Sequence, residues 1–78
     1  MRERKLKLVI TFPSTTQAIA MEKKCGENGA AGRLIPVPRQ ISAGCGIAWC
    51  AEVSEREYLE EFLGEFGVQY EHIYEIKI

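Results

Sequence analysis

Leu6, Leu8, Ile10 and Phe12 alternate with Lys5, Lys7, Val9 and Thr11. A period of two predicts a strand with one buried face. Pro13 cannot extend a ladder, and Ser14 with Gln17 three residues on has the spacing of a capping box. Ala18, Met21 and Cys25 then recur at helical spacing with Ile19 beside them, while Glu22, Lys23 and Lys24 fall on the other side. The first helix is predicted from about Thr15 to about Cys25 or a little beyond, with Gly26 and Gly29 as candidate stops. Residues 33–38 form a short apolar run holding Pro36 and Pro38, the mark of an edge strand. Arg39 to Gly46 is a loop by its serine and glycine content. A third strand is predicted from Ile47 to Val53. Ser54 and Glu57 then suggest a second capping box, opening a helix with a stripe of Tyr58, Leu59, Phe62, Leu63 and Phe66 that Gly67 would end. From Val68 to Ile78 alternation resumes, with Tyr70, Tyr74, Ile76 and Ile78 on one side and Glu71, Glu75 and Lys77 on the other. His72 and Ile73 break the pattern and leave the facing of this strand open.

Strand, helix, strand, strand, helix, strand is the order of the ferredoxin-like α+β fold, βαββαβ, a four-stranded antiparallel sheet with two helices on one face. Right-handed crossovers restrict the topology. The 78 residues leave no room for a linker, so one domain over 1–78 is expected. A chain of this length buries only ~60–65% of its unfolded surface. This fold also dictates which loops meet. If the first strand runs upward, the first helix starts at the top, the second strand returns upward, and the loop between strands two and three is at the top as well. Ser14, Thr15 and Thr16 therefore share one end of the molecule with Arg39 to Gly46.

Composition narrows the classes further. With 46% hydrophobic and 27% charged residues the chain is globular in type. No apolar run approaches the ~18–20 residues of a membrane span, and no signal peptide is expected from the charged opening segment. The net charge of −1 conceals a polarity. Residues 1–40 hold eight Lys/Arg against three Glu, and residues 41–78 hold two against eight, balances of +5 and −6. Such a surface could orient a charged partner, or be two solvated faces. A pI of about 5.8 and the lack of a basic stripe interleaved with aromatics argue against nucleic acid. Three cysteines, an odd count, do not make a disulfide scaffold, and reduced thiols in a cytoplasm are expected.

The chemistry concentrates on Cys45. A helix N-terminus offers unpaired N–H groups and about half a positive charge. A cysteine near it, with Arg39 in the same loop, favours the thiolate. Gly44 and Gly46 flank the sulfur and would let a second molecule approach. Cys25, on the apolar stripe at the opposite pole, is expected to be a small buried hydrophobe. Cys50 lies five residues from Cys45, roughly 16 Å along an extended strand, so the two cannot bridge within it. There is no Cys-x-x-Cys and no His pair, and His72 lacks a partner at ligand spacing, so no metal site is expected. Ser14 is first of all a helix cap, although the hydroxyls of Thr15 and Thr16 could also receive an anion. Neither a serine-hydrolase elbow nor a phosphate loop occurs. The glutamates of the second helix are a solvated face, and Trp49 is expected to pack on the sheet.

Phe12-Pro13-Ser14-Thr15-Thr16, Ala18, Met21-Glu22, Gly32 to Arg39, Ser42 and Cys45-Gly46 together resemble the selenium/sulfur carrier-like family of small bacterial domains. The resemblance runs from about Lys7 to Ile76. It implies a cysteine, mapping onto Cys45, that transiently holds sulfur or selenium as a persulfide or selenopersulfide. Ser14, Thr15, Thr16, Arg39, Ser42, Gly44 and Gly46 would form the surrounding binding end. Its partners would be a donor such as a cysteine desulfurase and an acceptor enzyme, with no cofactor needed, and its activity would be carrier- or transferase-like at most. Against this stands a non-catalytic module that binds an anion or a partner at the same loop end. Ferredoxin-like domains host many functions and often pair through sheet faces or edges, so a homodimer is compatible with either.

Overall fold

The computed structural model describes residues 5–41 and 46–78. Alternation in the first segment produces β1 (Leu6–Thr11), in which Leu8 and Ile10 are fully buried. Ser14 adopts an extended conformation and caps α1 (Thr15–Asn28). Then follow β2 (Arg33–Pro36), β3 (Ile47–Glu52), a 3₁₀ turn over Val53–Glu55, α2 (Arg56–Phe66) and β4 (His72–Lys77). The sheet order is β2-β3-β1-β4 with every neighbouring pair antiparallel, which is the ferredoxin-like arrangement. The proline-bearing strand sits at an edge, where the missing N–H donors cost no ladder bond.

Both helices bury their apolar stripes on one sheet face. Ala18, Met21 and Cys25 of α1 and Leu59, Phe62 and Leu63 of α2 join Leu8, Ile10, Phe12, Trp49 and Ala51 in a single cluster. Truncating a residue as deeply set as Phe12 costs about 3–5 kcal/mol by lost contacts and the cavity left behind.

Of the two candidate stops for α1 it is Gly29 that acts, and further along the chain several details differ from those expected. Gly26 stays inside α1, which continues to Asn28 and ends at Gly29 in the left-handed region, φ 69°. Ser54 does not cap α2: it falls within the 3₁₀ turn, and the helix begins two residues later with Glu55 at its N-cap and no side-chain cap bond. Tyr58, expected in the buried stripe, is exposed at this first turn. The last strand starts at His72 rather than Val68, because Val68 turns into the core straight after the αL residue Gly67.

The facing of β4 is now clear. Ile73 packs into the core beneath the helices, so Glu75 and Lys77 lie on that side too. Glu75 is accommodated there because Arg56, at the start of α2, donates to its carboxylate at 2.6 Å.

Candidate functional site

Strand register fixes which segments meet. Thr11 of β1 lies opposite Ala48 of β3 and His72 of β4, and Pro36 of β2 lies opposite Ile47. The N-terminus of α1, the β2–β3 loop and the start of β4 therefore share one end of the sheet. Ser14 Oγ accepts from the Gln17 N–H at 3.4 Å, and Thr15 and Thr16 lie exposed in a first turn without an acidic residue. The capping box is only half made. Gln17 does not turn back to Ser14; its Oε1 accepts instead from the Gln69 N–H at 3.1 Å, pinning the helix start to the α2–β4 connection. The Glu71 N–H donates to the Thr11 carbonyl at 2.7 Å and closes this end.

The β2–β3 loop leaves the sheet through one further rung, the Val37 N–H to the Gly46 carbonyl at 3.1 Å. A turn closed by Ile41 N–H on the Pro38 carbonyl at 3.1 Å holds Arg39, which is exposed. The Gln40 amide donates to the Lys77 carbonyl at 2.9 Å, at the far end of β4. The leading limb of the loop is thus drawn back over the face that the helices leave free. Val9 and Ala48 point toward that face and are nonetheless fully buried.

Among the described residues no hydrogen bond joins Arg39 to Ser14, Thr15 or Thr16. Gly46 has φ 77°, with open space around the position a Cβ would take. Its glycine answers to backbone conformation, not to crowding. Ser42, Gly44 and Cys45 lie outside the described residues.

The other two thiols are defined. Cys25 is 1% exposed in the core, and burial pushes it up to about 11. That thiol is inert at neutral pH. Cys50 is half-buried on the helix-free face; burial raises it, with Lys7 and Arg33 pulling the other way. Trp49 is core, its indole N–H donating to the Ala31 carbonyl at 3.1 Å. His72 is exposed beside Tyr74, and no group of three metal-ligating side chains occurs among the described residues. No described helix is long and apolar enough to cross a membrane.

A family model described as "Putative Se/S carrier protein-like" matches residues 7–75. The chain belongs to this family. The match takes in both helices, β2 and β3 whole, and all but the outer ends of β1 and β4, and the β2–β3 loop falls inside it. No curated protein and no solved structure matches the chain. Sequence reasoning found the Ser14 cap but missed the Gln17–Gln69 and Gln40–Lys77 bonds, because a glutamine in a loop gives no sign of which distant backbone group it will reach.

Proposed function

We propose that this domain carries sulfur or selenium on Cys45. The observation that supports the reading most is the register that brings the free N–H groups of α1 to the end of the sheet from which the Cys45 loop springs. Family membership over residues 7–75 agrees with it.

The chemistry is thiol exchange. The Cys45 thiolate attacks the outer sulfur of a donor persulfide, the donor's S–S bond breaks, and its thiolate leaves with the electron pair. Cys45 then holds a persulfide anion, or a selenopersulfide if the donor offers selenium. The acceptor repeats the attack and Cys45 returns to a thiolate. Each stage bears one negative charge on the Cys45 side. The N-terminus of a helix favours such a charge by about 0.3–1 kcal/mol in an exposed setting. Thr15, Thr16 and Arg39 supply further donors in this reading, with Ser42 and the flanking Gly44 and Gly46 shaping access. The step draws on no metal or organic cofactor. A donor such as a cysteine desulfurase and a separate acceptor enzyme complete the cycle.

The test is intact-mass measurement after incubation with a cysteine desulfurase and free cysteine. The expected result is one added sulfur, mapped to Cys45 and lost in Cys45→Ser. If Cys45 stays unmodified while an established carrier is loaded in parallel, the reading is wrong. Retained partner binding by Cys45→Ser would then favour the non-catalytic binding module.

A further inference from the structure

A second thiol site is built on β3 itself and uses no residue of the β2–β3 loop. On the helix-free face, Cys50 of β3 stands opposite Arg33 of β2 and Val9 of β1, and Glu52 stands opposite Lys7. Lys7, Arg33, Cys50 and Glu52, together with the neighbouring Ala31, Gly32 and Ala51, line an open recess of about 310 Å³. Lys7 pairs with Glu52, while Arg33 makes no ion pair among the described residues. Lys5 adds a third positive charge within electrostatic range of Glu52. The recess is thus net positive, with a half-buried thiol on its wall and room for a molecule of about tripeptide size.

We propose that this recess takes a small disulfide carrying carboxylates and is thiolated by it at Cys50. Arg33 and Lys7 hold the carboxylates, which sets a disulfide sulfur against Cys50 Sγ. Cys50 gives its proton to solvent, and its thiolate attacks that sulfur. The S–S bond of the reagent breaks, and the leaving thiolate takes the electron pair and a proton from solvent. Cys50 is oxidised and one half of the reagent is reduced. Burial, which disfavours the Cys50 thiolate, also makes it a poor leaving group. The mixed disulfide therefore forms slowly and persists, unlike the rapid exchange proposed for Cys45. The site is independent of the carrier reading.

Glutathione disulfide, an anion, and cystamine, a dication, serve as probes on the Cys45→Ser chain. Adducts at Cys50 are located by fragment-ion mapping and timed in the folded and the urea-unfolded protein. Folding is expected to raise the anionic-to-cationic rate ratio at least about fivefold, an effect that shrinks in high salt. Arg33→Gln, an exposed change that leaves the fold intact by circular dichroism, is expected to cut that ratio by half or more. A ratio unchanged by folding, or one indifferent to Arg33→Gln, overturns the proposal, as does a folded Cys50 that takes no adduct.

Discussion

Gly32 is the position at which one added methyl group should do the most damage for its size. It precedes β2 with φ 120°, and an ideal Cβ there would sit 2.3 Å from Trp49 Nε1 and 2.7 Å from the Cys50 carbonyl oxygen. Backbone in this region costs a non-glycine residue about 1–3 kcal/mol. The displaced indole would also lose its bond to the Ala31 carbonyl, leaving a buried donor unpaired at about 1–3 kcal/mol. Gly32→Ala is therefore expected to cost about 4 kcal/mol, a large part of the ~5–15 kcal/mol that holds a domain together. In urea, with a slope of about 1–2 kcal/mol/M for so small a chain, the midpoint should fall by roughly 2–4 M. Fluorescence of Trp49, the one tryptophan in the chain, and far-UV circular dichroism should follow the transition together. Gly64→Ala is the control: it lies in α2 with nothing within 4 Å and should stabilise by about 0.5–1 kcal/mol. A Gly32→Ala protein within about 1 kcal/mol of the parent would refute the reasoning.

Other expectations follow from single contacts. Gln17→Ala should cost about 1 kcal/mol in denaturant and raise the hydrogen-exchange rate of the Gln69 amide, which loses its acceptor. The Lys7 ammonium donates to Glu52 and holds that carboxyl below the usual range, so its stabilisation is present above the unfolded-state value and lost as pH falls through the lowered one; carboxyl NMR titration should show the depressed midpoint, and Lys7→Gln should restore it. Cys25 has the opposite sign: burial lifts it from 9.0 to about 11, so its contribution is intact below pH 9 and drains away as pH rises toward 11. The alkaline loss should be on the order of 2 kcal/mol and absent in Cys25→Ala, read as urea midpoints across that range.

The parts of the fold that could be read from sequence are those with strong local grammar. Alternation gave away β1, the prolines marked β2 as an edge, and Gly67 marked the end of α2. Ser54 misled because its spacing to Glu57 is a capping pattern, whereas the chain first needs a 3₁₀ turn before the helix can start at Arg56, where Glu60 and Glu75 both await the guanidinium. The last strand was ambiguous for a related reason. Glu75 looks like a solvent-facing residue until the tertiary structure supplies Arg56 on the helix side. At the candidate site, topology alone predicted that the α1 start and the β2–β3 loop would share an end. No sequence signal announced that Gln40 would carry part of that loop to the opposite corner of the sheet.

That last contact also guards a vulnerable border. Lys5 and Ile78 exchange both backbone bonds, so in antiparallel alternation the neighbouring Lys77 turns its carbonyl away from β1 toward the unpaired side of β4. An unclaimed carbonyl on an outermost strand is a template for another chain. Gln40 claims it. Any strand that zipped onto this margin would have to evict the glutamine, and in doing so would release the limb that leads toward Cys45. Self-association along β4 and the tethering of that leading limb are thereby tied to the same hydrogen bond.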